Sequence, residues 1–222
     1  LITSIILKEL IVDNKFSFKN FYERRARRIL PVLFFVMLIS SFFAWFFLLP
    51  SDLVNFSKSI FSSIFFISNI YFYFSGLEYD SLDGLLKPFL HTWSLSIEEQ
   101  FYIFFPLAIL LFFKFFEKKL IFIILFVFFV SFYLSYSTSI KNESITFYFL
   151  QYRIWELSAG SFLSIIITKN YKTFFFRKKF INEMILVIGF IAVLLPMLFF
   201  NHKTPHPSFP TLIPILGVCL GH

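Results

Sequence analysis

The chain has 222 residues, of which 58% are hydrophobic and only 15% are charged. A soluble domain of this length usually carries about 25% charged residues around one apolar core, so this composition excludes an ordinary water-soluble fold. The net charge of +7 does not call for nucleic acid as a partner, because Lys and Arg accumulate in the cytoplasmic loops of membrane proteins. We therefore predict an integral membrane protein that contacts membrane lipid.

Long apolar runs predict the transmembrane helices, since a span needs about 20 apolar residues to cross roughly 30 Å of hydrocarbon. The predicted spans are Leu30–Leu49, Phe101–Phe116, Leu120–Ser139, Phe147–Thr168 and Met184–Phe200. The fold class is therefore an all-α, polytopic transmembrane helix bundle. The chain begins inside one further apolar run and enters another at Thr211. We expect residues 1–222 to be one membrane domain that is truncated at both ends.

The segment Ile60–Phe74 is apolar but short, and serine and asparagine residues interrupt it. Two alternatives stay open: the segment crosses the membrane, or it re-enters from the outer face, packed against protein. The positive-inside rule favours the second alternative. It places the basic loops 8–28, 114–119 and 169–183 in the cytoplasm and the segment 75–100 outside.

An arginine-rich segment lies just before the first predicted span. Arg24, Arg25, Arg27 and Arg28 occur within five consecutive residues. As a topology signal, this cluster would bind lipid phosphates at the membrane surface. As a binding site, it would hold a phosphate-bearing cofactor, because guanidinium groups match phosphate oxygens with bidentate hydrogen bonds. The residues alone leave both interpretations open.

The segment before the second predicted span concentrates polar and titratable side chains. Ser96 and Glu99 have the spacing of a helix capping box, which predicts a structural role for Glu99. His91 and Glu98 have the chemistry for general acid–base work on a hydroxyl group, at what we predict to be the outer mouth of the bundle. Trp93 is interpreted either as part of that site or as an anchor in the membrane interface.

A third candidate group lies inside the predicted span Phe147–Thr168. Arg153 and Glu156 are three residues apart, so they share a helix face and can form an ion pair that lowers the cost of placing them in the bilayer. Charged residues inside a span indicate a functional or site-shaping role. We predict that Gly160 permits close approach of a neighbouring helix.

The sequence does not indicate a metal site. His202 and His206 lie four residues apart, but Pro205 and Pro207 exclude a regular helix that would present both. The sequence contains no metal-binding, nucleotide-binding or dithiol motif. Cys219 is the single cysteine of these residues, so no disulfide can form within them.

Three motifs, which follow one another in order, resemble the acyltransferase 3 family of bacterial membrane O-acyltransferases. They are Phe-x-x-Arg-Arg-x-x-Arg-Ile-x-Pro at 21–31, Leu-His-Thr-Trp-Ser-Leu-Ser-Ile-Glu-Glu-Gln-Phe-Tyr at 90–102, and Arg-x-Trp-Glu-Leu-x-x-Gly at 153–160. The resemblance covers essentially the whole chain, and the middle motif is the most specific. It implies a multi-pass bundle of about ten helices in the bacterial inner membrane, of which this chain is a part.

The resemblance also implies an activity. Such proteins transfer an acyl group, commonly acetyl, from acyl-CoA (acetyl-CoA) to a hydroxyl of a cell-surface glycan such as lipopolysaccharide O-antigen. We expect the four arginines to bind coenzyme A, and His91 and Glu98 to be catalytic. Site-shaping roles are expected for Trp93, Glu99, Arg153 and Glu156. The family's principal histidine is expected upstream of Leu1, so residues 1–222 alone are not expected to be active.

Two other functions stay open on the sequence. A transporter or flippase of lipid-linked saccharide would also use membrane arginines and carboxylates. Transporters often contain paired inverted repeats with broken helices, and the sequence shows none. The second alternative is an inactive fragment or scaffold. Neither the acceptor sugar nor the oligomeric state follows from the sequence.

Overall fold

The computed structural model describes residues 2–12, 16–75, 87–116, 119–168, 179–200, 207 and 209–220. Within this part of the chain the regular structure is entirely helical, which confirms the predicted all-α class. The α-helices are α1 (Ile2–Val12), α2 (Phe18–Phe47), α3 (Pro50–Ile64), α4 (Ser68–Phe74), α5 (Thr92–Phe116), α6 (Leu120–Ser139), α7 (Glu143–Tyr148), α8 (Ile154–Thr168), α9 (Lys179–Phe199) and α10 (Leu212–Leu220). Short 3₁₀ turns occur at Leu150–Tyr152 and Phe209–Thr211.

Helices α2, α5 and α6 are long and apolar enough to cross a membrane. The predicted span Leu120–Ser139 coincides with α6, and Leu30–Leu49 overlaps α2, which ends at Phe47. Large apolar side chains on these helices point outward: Leu38 is 72% exposed and Trp45 is 73% exposed. A surface of this kind requires lipid rather than water as its solvent. The chain is therefore a membrane protein.

The described residues divide into two compact units. The first unit contains Leu1–Asp13 and Phe101–His222. Its apolar core brings together α1, α6 and α8 through residues that are at most 5% exposed. These residues are Leu7, Leu120, Ile124 and Ile165. A hydrogen bond of 3.0 Å from Thr3 Oγ1 to Ser161 Oγ joins α1 to α8 within this core.

The second unit, Asn14–Gln100, contains α2, α3, α4 and the first turns of α5. Helix α2 begins after Ser17, whose hydroxyl accepts a hydrogen bond from the Asn20 amide. Pro50 starts α3 at a position where its missing N–H costs nothing. The rings of Phe56 on α3 and Phe89 before α5 pack at 5.4 Å between centroids, so the apolar side of α3 faces the chain that leads into α5.

Two apolar runs that the sequence predicts as single segments are broken. The run Ile60–Phe74 is interrupted between α3 and α4, where Phe66 has a positive φ of 54°. The predicted span Phe147–Thr168 is wrong as a continuous helix, because α7 ends at Tyr148 and α8 starts only at Ile154. Hydropathy reports the solvent around a segment and not its backbone path. The polar residues in Ile60–Phe74 left a re-entrant path open, but the apolar pattern did not show the break before α8.

The prediction for Gly160 is also wrong. Among the described residues, a Cβ atom built on Gly160 meets no atom within 4 Å, so no helix of this part of the chain approaches closely there. The close approach lies instead at Gly217 on α10, where a Cβ would stand 2.8 Å from the Gly189 carbonyl oxygen of α9. Glycine at 217 therefore allows α9 and α10 to pack with their backbones in contact.

Candidate functional site

The arginine-rich segment forms the first turns of α2, and its four side chains divide into two groups. Arg24, Arg27 and Arg28 are exposed and spaced three and four residues apart, so they share one helix face. We call these three residues the arginine face. Arg27 Nη2 lies 2.6 Å from Glu23 Oε1 in an exposed pair one turn away. Such exposed pairs contribute little energy and exchange readily for another anion.

Arg25 is turned away from the arginine face and forms an ion pair with α5. Its Nη2 donates to Glu99 Oε1 over 2.6 Å, across 74 residues of sequence. The two side chains are only 19% and 11% exposed. A charge pair this shielded from water is costly to separate, because either partner alone would be left buried and uncompensated.

Neutral hydrogen bonds hold the first turns of α5 to the break between α3 and α4. Ser63 and Thr92 share a hydrogen bond of 2.7 Å, and Thr92 Oγ1 also donates to Ser68 over 3.0 Å. Ser68 and Ser96 share a further bond of 2.7 Å. The serines among them are buried. Ser63 and Ser68 also interrupt the apolar run Ile60–Phe74 in the sequence, which is the signal that could have revealed this network.

The side-chain amide of Gln100 adds two hydrogen bonds between α5 and the break that separates α3 from α4. Its Nε2 donates to the Asn69 side chain and to the carbonyl of Phe66, each over 2.9 Å. Asn69 is 1% exposed. The strained backbone at Phe66 therefore carries a carbonyl that a buried amide satisfies, which explains how a non-glycine residue persists there.

The predicted capping box is wrong. Helix α5 starts at Thr92, so Ser96 lies inside the helix and its hydroxyl bonds Ser68 instead of capping a terminus. Glu99 is 8% exposed and pairs with Arg25. Its carboxylate therefore links α5 to α2 and does not cap the start of α5.

The ion pair also corrects the predicted topology. Residues 8–28 and 75–100 were expected on opposite sides of the membrane. Direct contact between Arg25 and Glu99 requires both to lie at the same depth, so that expectation is wrong for these two positions. The positive-inside rule counts charges and does not register a contact between two of them. Parts of the other loops used in the prediction, 117–118 and 169–178, lie outside the described residues.

His91 and Glu98 border this contact. Both are exposed; His91 directly precedes α5, and Glu98 lies two turns further along. Two helical turns correspond to about 10 Å along the axis, so the two side chains span a surface rather than meet at one atom. Trp93, 7% exposed, lies between them in sequence and packs inside the protein. It is therefore a buried residue and not a free interface anchor.

The predicted pair Arg153–Glu156 is confirmed at the start of α8. Arg153 donates from Nε and Nη2 to Glu156 Oε2, over 3.1 and 2.7 Å. Trp155 between them is completely buried, and its ring packs edge-on against Phe132 at 5.1 Å between centroids. Ser131 of α6 accepts a hydrogen bond from the Trp155 amide over 3.1 Å. Together these contacts hold the start of α8 against α6, where the break after α7 ends.

Among the described residues, no group of three or more His, Cys, Asp or Glu side chains could hold a metal ion. His202 and His206 lie outside the described residues. The arrangement that remains for chemistry is an exposed cationic face on α2 beside a surface with an imidazole and a carboxylate on α5. Such a surface can bind a polyanion and polarise a hydroxyl group.

Comparison with known proteins identifies the family of the chain. The family model for the Acyltransferase domain matches residues 12–221. An uncharacterized protein of Haemophilus influenzae is 32% identical over 230 residues, which cover 99% of this chain and 91% of that protein. No solved structure matches the chain.

Two further relatives carry functional names. The peptidoglycan O-acetyltransferase OatA of Listeria monocytogenes is 35% identical over 114 residues, or 51% of this chain and 18% of the relative. The O-acetyltransferase OatA of Staphylococcus aureus is 32% identical over 109 residues, or 49% of this chain and 18% of the relative. Each match thus spans under a fifth of the relative's length.

Proposed function

This chain belongs to the acyltransferase 3 family, and from that premise we propose that it transfers an acetyl group from acetyl-coenzyme A to a hydroxyl of a cell-surface glycan. The family match and the apolar helices support a membrane acyltransferase. The relatives named O-acetyltransferases support the acetyl group. They favour transfer over transport of a lipid-linked saccharide. We place the protein as a multi-pass protein of the bacterial inner membrane.

The arginine face is the observation that carries the donor assignment. Coenzyme A bears several phosphate groups, and guanidinium forks bind phosphate oxygens bidentately. Arg24, Arg27 and Arg28 are exposed on one helix face, which fits such a polyanion. Arg25 is removed from the predicted phosphate-binding set, because Glu99 already neutralises it.

Acetyl-CoA supplies the activated thioester, and the chain's own residues handle the acceptor. The acceptor hydroxyl must lose its proton as its oxygen attacks the thioester carbonyl and the coenzyme thiolate leaves. We assign to Glu98 and His91 the positioning and polarising of that hydroxyl, because both are exposed on the α5 surface and both can accept a hydrogen bond from it.

The acceptor is proposed as a glycan of the cell surface. Lipopolysaccharide follows from the family resemblance, and peptidoglycan follows from the name of the Listeria relative. The two acceptors share sugar hydroxyls as the reacting groups. Transfer of radiolabelled acetyl to each purified glycan, in membranes that contain the protein, distinguishes them.

The test of the donor site replaces Arg24, Arg27 and Arg28 together by Lys. Lysine keeps the positive charge, and hence the topology signal, but loses the bidentate fork. We expect the KM for acetyl-CoA to rise at least tenfold with unchanged membrane insertion. Lys141→Gln, on an exposed turn after α6, is the control and should leave KM unchanged. An unchanged KM in the triple variant would reduce the arginine face to a topology anchor.

The same assay tests the acceptor side. Glu98→Gln removes a carboxylate while keeping the size of the side chain. Loss of a positioned acid–base group typically costs about 10²–10⁴ in rate, so we expect kcat to fall strongly while KM for acetyl-CoA changes little. Glu143→Gln, an exposed carboxylate on α7, is the matched control. Near-full transfer by Glu98→Gln at normal protein levels would remove Glu98 from the site.

A further inference from the structure

The ion pair between Arg25 and Glu99 has no role in the chemistry assigned so far. Arg25 lies within the same two turns of α2 as the arginine face, and Glu99 is the direct neighbour of Glu98 on α5. The pair is short, at 2.6 Å, and largely shielded from water. It therefore connects the two surfaces to which we assign the donor and the acceptor.

The first turns of α5 are held from two directions within this unit. Serine, threonine and glutamine side chains fix them to the break between α3 and α4. The Arg25–Glu99 pair fixes them to α2. Neutral hydrogen bonds between membrane helices are individually weak, whereas separating a buried charge pair leaves an uncompensated charge. The ion pair is thus a strong constraint on the rotation of α2 about its axis.

Rotation matters because the two groups of arginines lie on different sides of α2. Adjacent residues on a helix point about 100° apart, so anchoring Arg25 determines where Arg24 and Arg28 point. Without the anchor, α2 could turn and change the position of the arginine face relative to the exposed surface of α5. Buried ion pairs are best attested in roles of this kind, where they fix register and not stability.

We propose that Arg25–Glu99 is a positioning pair that holds the arginine face beside the His91/Glu98 surface, so that donor phosphates and acceptor hydroxyl bind at one and the same membrane surface. The proposal rests on the proposed function for the identity of the two ligands. Its structural part, the shared surface, does not depend on that function. Neither residue touches a substrate in this proposal.

The first experiment tests the shared surface without any activity assay. Single cysteines are placed at Lys19 and at Ser94, which are both exposed, in a background with Cys219→Ala. Intact and inverted membrane vesicles are treated with a membrane-impermeant maleimide. We expect both cysteines to react from the same side. Reaction from opposite sides would overturn the proposal whatever the enzyme transfers.

The second experiment separates positioning from mere stability through acetyl-CoA kinetics. Arg25→Gln and Glu99→Gln should each raise KM at least tenfold, with kcat per folded molecule changed less than threefold. Arg25→Lys, which can still pair with Glu99, should stay within threefold of the wild-type KM. The exchanged pair, Arg25→Glu with Glu99→Arg, should recover most of the loss.

The outcomes discriminate between the proposals. A KM unchanged in Arg25→Gln and Glu99→Gln would overturn the positioning role, as would an Arg25→Lys variant as defective as Arg25→Gln, which would make Arg25 a phosphate ligand. If the single variants fold too poorly, the exchanged pair and Arg25→Lys decide the question. If the complete wild-type protein used no acetyl-CoA, the proposed function would be refuted, while the labelling result would still stand.

Discussion

Two ion pairs of similar burial differ in the distance that they bridge along the chain. Arg153–Glu156 closes within one turn of α8, and Arg25–Glu99 joins two helices across 74 residues. The first follows from helical spacing alone, and it was predicted. The second exists only once α2 and α5 have docked. The difference teaches that contacts between sequence neighbours can be predicted from helical spacing. The direction in which functional side chains point depends on polar contacts between helices that are distant in sequence.

The largest expected effect comes from breaking each pair in turn. Glu99→Gln should destabilise the protein by about 3 kcal/mol, because it leaves Arg25 buried between two helices without a counter-charge. Glu156→Gln should cost less, about 1 kcal/mol, because this pair is local in sequence and its loss separates no two helices. Thermal unfolding in detergent, followed by circular dichroism, should show roughly 2–4 °C per kcal/mol. Equal shifts in the two variants would contradict the comparison.

Two glycines, one at a helix contact and one in open space, give a second comparison with an intermediate expected effect. Gly217→Ala should cost about 2 kcal/mol, since the new Cβ would meet the Gly189 carbonyl and force α9 and α10 apart. Gly160→Ala has open space and should instead stabilise α8 by about 0.5–1 kcal/mol. The two unfolding temperatures should therefore move in opposite directions. A loss of stability in Gly160→Ala would show that a helix packs there after all.

The smallest expected effect concerns two serines of α6. Ser131 bonds the Gln151 carbonyl and the Trp155 amide, across the break before α8. Ser131→Ala should cost about 1 kcal/mol, in the range of hydrogen bonds between membrane helices. Ser137, which is half-buried and donates to the Leu134 carbonyl one turn back in the same helix, should tolerate Ala within about 0.5 kcal/mol. The comparison fails if both substitutions have the same effect on unfolding.

Much of the helical architecture could be predicted from the sequence, because it depends on apolar run length. Helix α6 matches its predicted bounds, and the all-α class is confirmed. The break at Phe66 could not be predicted, since a positive φ on a bulky residue has no local signal. The role of Glu99 was missed for a related reason: its spacing from Ser96 satisfied a local rule, while its partner lay on another helix.

The individual residues of the candidate site were predicted from the sequence, but their proximity to one another was not. The sequence identified the arginines and the segment around His91, then assigned them to opposite sides of the membrane on the basis of loop charge. Charge counting fails here because a single buried contact outweighs several loop lysines in deciding which ends of two helices meet. The buried serines were noted only as interruptions of an apolar run, although they mark where α5 docks.

The break before α8 has a consequence for the surrounding bilayer. Helix α8 contains 15 residues and is therefore about 22 Å long, while the hydrocarbon layer is about 30 Å thick. Its first turn already carries Glu156, which pairs with Arg153 just before the helix, so its lipid-compatible length is shorter still. Hydrophobic mismatch of this kind is relieved by local thinning of the bilayer. Thinning at α8 would shorten the hydrocarbon barrier beside the protein, and membranes with longer acyl chains would oppose it.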